Sequence, residues 1–90
     1  DMIVAGVREH VADLDAEISA CLRGWTIQRL SRVDLAILRL AVYEMMFLSD
    51  IPFKVSINEA IELSKKYDDD KAYSFVNGVL NAVAEEYGKK

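Results

Sequence analysis

The stretch Ser31–Leu48, SRVDLAILRLAVYEMMFL, decides the fold. Its apolar positions crowd together, with polar groups only at Arg32, Asp34, Arg39, Tyr43 and Glu44 between the opening serine and Leu48. It shows no period-two alternation and is longer than an ordinary strand, so it reads as a helix. A helix that is apolar nearly all round needs neighbours on several sides, which makes this the central helix of a helical domain. Its start is marked by Ser31 with Asp34 three residues on, a capping box in which Asp replaces the usual Glu. An acid in the first turn also suits the helix dipole. The end comes at Ser49-Asp50-Ile51-Pro52, because proline disfavours helical geometry in the residue before it and suits the first turn of a following helix.

The flanking segments supply those neighbours. Upstream, Ile3, Val7, Val11, Leu14, Ile18 and Leu22 recur at spacings of four, four, three, four and four, predicting one amphipathic helix from Met2 to Leu22, with Gly24 as its stop. Trp25 to Leu30 reads as a connector, with Trp25 as a buried plug. Downstream, Phe53, Ile57, Ala60 and Ile61 line a third helix ending near Tyr67. Asp68-Asp69-Asp70 reads as a solvated loop whose last acid caps a fourth helix. That helix carries Ala72, Phe75, Val76, Val79, Leu80, Val83 and Tyr87 on one side and ends at Gly88. With no Gly-rich or Pro-rich linker and no internal repeat, residues 1–90 are expected to form a single all-α domain of four main helices.

Composition narrows the function classes. One cysteine cannot close an internal disulfide, and with one histidine it cannot furnish a structural zinc site. No catalytic constellation is legible. His10 stands without a second histidine and reads as a surface residue, Cys21 reads as a small buried hydrophobe, and the triple Asp lacks the ligand spacing of an EF-hand. No cofactor or metal is implied. No apolar run approaches the roughly 18 residues that span a bilayer, so the expectation is a cytoplasmic protein without a membrane partner. The chain opens on Asp1 rather than Met, which suggests a processed product or an excised piece.

The formal net charge is −4, which argues against a protein that grips nucleic acid by electrostatics alone. The charge is uneven, however. Residues 1–22 carry one Arg against five acids, whereas residues 23–44 carry Arg23, Arg29, Arg32 and Arg39 against Asp34 and Glu44. Arg32 and Arg39, two turns apart on one helix face, are open to two readings: an anion-binding surface or ordinary ion pairs. Asn77-Gly78 is similarly open. Both are poor interior helix residues, so the pair implies a satisfied polar contact together with either close helix packing or functional use.

Three segments carry a resemblance: Leu30–Glu44 (LSRVDLAILRLAVYE), Ile51–Leu63 (IPFKVSINEAIEL) with its Asn58-Glu59-Ala60 word, and Phe75-Val76-Asn77-Gly78-Val79-Leu80. In order and spacing they resemble the C-terminal two-thirds of the NusB family of bacterial transcription antitermination factors. The resemblance implies an all-helical bundle in two subbundles, here lacking the N-terminal helices. It also implies a non-catalytic protein that binds boxA-type RNA together with the ribosomal protein NusE. The arginine-rich start usual in the family is missing, which the resemblance reads as removal, with self-association expected to cover the apolar face left behind. Carried over by position, Asp34 matches a NusE-contacting acid that is more often Glu. Phe75 matches an aromatic suited to stacking on an unpaired base, Lys71 a phosphate contact one turn earlier, and Gln28 a polar position in the connector. Asn81 stands where the family often has an acid. The N-terminal domain of ribosomal RNA cytosine methyltransferases is similar and remains the alternative.

Overall fold

The computed structural model describes residues 2–22, 27–48, 50–67 and 72–88, and these form five α-helices with no strand among them. They are α1 (Met2–Glu9), α2 (Val11–Cys21), α3 (Arg32–Phe47), α4 (Phe53–Tyr67) and α5 (Ala72–Gly88), with one 3₁₀ turn at Ile27–Arg29 between α2 and α3. Arg23, Gly24, Trp25, Asp68–Asp70 and Lys71 lie outside the described residues, so the expected helix stop, aromatic plug and cap loop do too.

The central helix is α3, which touches all four of the others. It begins as its sequence dictates: the Asp34 amide donates to Ser31 Oγ at 3.0 Å, satisfying one of the N–H groups that a helix start leaves without a partner. Leu38 and Val42 on α3 are fully buried, as are Leu14 and Ile18 of α2 and Val76, Leu80 and Val83 of α5. Ile57 and Ala60 bring α4 into the same core. Each such branched side chain contributes about 1.5–3 kcal/mol on burial, so one continuous core organises the helices. Pro52 starts α4, its carbonyl accepting from the amides of Val55 and Ser56 at 3.0 and 3.3 Å.

The predicted single helix from Met2 to Leu22 is instead two, broken at His10. There the backbone turns to φ −111°, ψ 17°, and the His10 amide is shared between the carbonyls of Gly6 and Val7, both at 3.2 Å. The cause lies in what each half packs against. Gly6 lies directly under Tyr43 of α3: a Cβ built there would fall 2.8 Å from Tyr43 Cε1 and closer still to the phenol carbon and oxygen. The turn places the His10 ring on Phe47, with centroids 4.2 Å apart and 22° between planes. From there α2 is aimed so that Leu14 and Ile18 enter the core and Asp15 meets Arg39. His10 is therefore half-buried on an aromatic pair rather than a free surface residue.

Candidate nucleic-acid interface

The sequence offers Phe75, Gln28, Lys71 and Asp34 as candidates, and the structure places three of them. Phe75 sits half-buried in the first turn of α5, packed on the edge of the core. Beside it runs an open groove of about 460 Å³ lined by Ser74, Phe75, Gly78, Val79, Asn81, Ala82 and Glu85 of α5 and by Cys21 at the end of α2. Val76, Val79, Leu80 and Val83 turn to the core, and Gly78 falls on the opposite side of the same helix, exposed. A Cβ added to Gly78 would meet no atom of the described residues within 4 Å, so close packing of this glycine is not seen among them. The expected polar contact of Asn77 is present: Asn81 Nδ2 donates to Asn77 Oδ1 at 3.0 Å.

The wall opposite α5 is held by a polar cluster. The Cys21 thiol lies 3.6 Å from Glu17 Oε2, to which it donates, and Cys21, expected as a small buried hydrophobe, is partly buried against the core. The Tyr87 hydroxyl bonds to the same Glu17; burial first, then the charge of that carboxylate, pushes the Tyr87 pKa above the ordinary tyrosine value. The Tyr87–Glu17 bond fastens α5 to α2, and the Cys21–Glu17 bond lies within α2.

Gln28 is exposed on the 3₁₀ turn, which packs against α2, and Asp34 is half-buried in the first turn of α3; neither lines the groove. Lys71 lies outside the described residues. Beside Asp34, Val33 is 38% exposed and Phe47 at the other end of α3 is 40% exposed. Together with Ala36 and Leu40 they form an apolar stripe along α3 at helical spacing.

Of the basic set, Arg29 and Arg32 are exposed, but Arg39 is not available to an anion. Its Nε and Nη2 donate to the two carboxylate oxygens of Asp15, each at 2.8 Å, and that bidentate bond raises the Arg39 pKa further. A second pair escapes sequence reading altogether. Glu44 and Ser56 are both buried between α3 and α4, and Ser56 Oγ donates to Glu44 Oε1 at 2.9 Å. Burial raises the Glu44 pKa, the Ser56 bond opposes the rise, and nearby Glu59 adds to it. The only clue in the sequence was a carboxylate on a helix otherwise apolar nearly all round. Among the described residues no group of His, Cys, Asp and Glu is arranged to hold a metal ion, and no helix is long and apolar enough to cross a membrane.

Comparison with known proteins adds three findings. The model of the NusB family matches residues 1–85. Proteins named transcription antitermination protein NusB are similar along nearly the whole chain. The one from Enterococcus faecalis is 51% identical over 96% of this chain and 56% of its own length, and the one from Bacillus velezensis is 55% identical over 92% and 64%. Among solved structures, T. maritima NusB superposes with a TM-score of 0.90 at 44% identity, covering 94% of this chain and 60% of that one. A chain in the crystal structure of a plectonemic RNA supercoil superposes with a TM-score of 0.92 at 37% identity, covering 99% and 64%. This chain thus spans between half and just under two-thirds of the length of the relatives it matches. The expected all-α, NusB-like bundle is the fold observed, and the chain belongs to the NusB family.

Proposed function

We propose that this chain serves in transcription antitermination, without catalysis, by binding boxA-type single-stranded RNA together with the ribosomal protein NusE. The observation that carries the reading is the α5 groove with Phe75 at its edge: an aromatic ring beside an open groove on a helix face is a stacking platform for an unpaired base. The names of the relatives and the RNA-supercoil structure among the neighbours support it. In this reading Lys71, one turn before Phe75, holds a phosphate, and Gln28 contributes a polar contact from the connector. Asp34 and the apolar stripe of Val33, Ala36 and Leu40 face the protein partner, with the carboxylate supplying a charge-assisted hydrogen bond.

The test is a gel shift with the intact protein that contains this chain. NusE and the protein together are expected to retard a boxA-type RNA at concentrations where neither does so alone. Absence of that cooperative shift at moderate salt overturns the reading. Asp34→Asn, which keeps the side chain's size and removes its charge, is expected to weaken NusE binding while leaving RNA binding by the protein alone unchanged.

A further inference from the structure

We infer that one end of the bundle is a phosphate track, on which Arg29, Arg32, Lys65 and Lys66 together hold the backbone of a single-stranded RNA whatever its bases. The inference rests on the RNA reading above and adds to it four cations from separate parts of the chain.

The packing of α3 on α4 gathers them. Ser56 bonds to Glu44 near one end of the seam, and further along it Leu40 and Ile37 share a small void with Ala60 and Leu63. The two helices therefore run antiparallel, residue numbers falling along one as they rise along the other. One more turn brings Val33 and Arg32, at the start of α3, beside Lys66 and Tyr67, at the end of α4. Arg29 stands on the 3₁₀ turn just before α3. Lys65 reaches across to α5, its Nζ 5.2 Å from the centre of the Tyr73 ring, and Lys66 Nζ lies 5.3 Å from the centre of the Tyr67 ring.

All four cations are exposed, and none forms an ion pair with an acid of the described residues, whereas Arg39 is taken by Asp15. A cation over an aromatic ring is held in place without being neutralised, so Lys65 and Lys66 keep their charge for a ligand. The nearest acids in this register among the described residues are Asp34, half-buried, and Glu62, one turn before the lysines. This end is thus locally positive in a chain whose net charge is −4. Tyr67 and Tyr73 are 60% and 39% exposed between the cations, and cations interleaved with exposed aromatics suit a surface that follows a nucleic-acid backbone. A membrane surface would call for an apolar helix face beside the charges, and α4 turns Ile57 and Ala60 into the core instead.

The experiment follows binding of the intact protein, with NusE present, to a boxA-type RNA and to a scrambled single strand across a series of salt concentrations. Each phosphate neutralised on a single strand contributes about 0.7 to the slope of log affinity against log salt. That slope counts only cations that reach phosphate, so it registers the four despite Asp68, Asp69 and Asp70, which follow Tyr67 in the sequence. Arg29→Gln with Arg32→Gln, and Lys65→Gln with Lys66→Gln, are each expected to lower the slope by about 1.4 and to weaken both RNAs by the same factor, about ten-fold at low salt. Lys54→Gln, at the opposite end of α4, is expected to leave the slope as it was. Melting temperatures are expected to stay at the wild-type value, because every substituted side chain is exposed. An unchanged slope in either double variant, with the boxA-type RNA still bound, overturns the inference and leaves the RNA reading standing. A loss confined to the boxA-type RNA, or an equal loss in Lys54→Gln, overturns it as well. A wild type that binds neither RNA overturns both readings. Double variants that lose NusE while keeping RNA binding by the protein alone assign this end to the protein partner and overturn the phosphate track.

Discussion

Gly6 and Gly78 both stand inside continuous helices, and their surroundings differ. Gly6 is buried, with the Tyr43 phenol occupying the place its side chain would take; Gly78 is exposed, with no atom of the described residues within 4 Å of that place. The same residue type, at the same intrinsic cost to a helix, serves internal packing in α1 and leaves a vacant surface in α5. The difference separates two regions of the molecule. Where α1 and α2 meet α3, every irregularity is accounted for inside the chain: the turn at His10, the ring stack on Phe47 and the Asp15–Arg39 pair fit one another. On the outer face of α5 the irregularities point outward.

Enlarging Gly6 should give the largest effect. Gly6→Val must push the Tyr43 ring out of its seat or lift α1 from α3, and overpacking of this kind costs about 1–3 kcal/mol. For a domain of this size the melting temperature is expected to fall by roughly 10 °C, measured by calorimetry. Tyr43→Ala in the same background is expected to recover part of the loss by vacating the contested space. If Gly6→Val melts with the wild type, the two glycines are not the contrast drawn here.

Next comes Phe75 at the open face. Phe75→Leu keeps an apolar side chain against the core and removes the flat ring. RNA affinity, read by fluorescence anisotropy on the intact protein, is expected to drop about ten-fold with only a small change in melting temperature. A loss of stability without a loss of affinity would return Phe75 to the core and leave the groove without its wall.

Gly78→Ala is the mirror of the Gly6 substitution. With no clash to offset the gain in helix propensity, stability is expected to rise by about 1 kcal/mol, or about 4–8 °C. Opposite signs for additions at the two glycines are the sharpest outcome the comparison allows; a destabilised Gly78→Ala would mean that α5 is packed where the structure shows it open.

What the sequence discloses follows the range of the interactions involved. Ser31 and Asp34 are three residues apart and bond to each other, and Pro52 acts on the adjacent turn, so the starts of α3 and of α4 were legible. The break at His10 was not, because the apolar stripe passes through it unshifted. The break coincides with contacts to residues far along the chain, Tyr43 over Gly6 and Phe47 against the His10 ring. Arg39 looked like half of a basic patch because Asp15, its partner, lies 24 residues away on another helix. The outward face of Gly78 was available in principle: on a helical wheel it sits across from Val76, Val79, Leu80 and Val83, which turn to the core. The family resemblance indicated which residues to inspect, but only the fold showed that Phe75 lines a groove and that Gln28 and Asp34 lie outside it.

The contrast between enclosed and open regions extends to carboxylates, where the effect is smallest and depends on pH. Glu44 is buried under α4, while Glu85 stands exposed at the rim of the groove. Burial raises the Glu44 pKa from its ordinary value of 4.5, so the folded chain holds this proton more tightly than the unfolded chain does. Between the ordinary and the raised values the native state binds more protons, and stability therefore declines as pH rises through that window. At neutral pH the buried charge is retained at a cost that the hydrogen bond from Ser56 only partly offsets. Glu44→Gln keeps an acceptor for the Ser56 hydroxyl and removes the titration. Urea unfolding at a series of pH values is expected to show the variant gaining on the wild type from about pH 4.5 upward, with a plateau above the raised pKa. Parallel pH profiles for Glu44→Gln and wild type would mean that water or a neighbouring group already solvates Glu44, and that the α3–α4 seam is less tightly closed than the α1–α3 contact over Gly6.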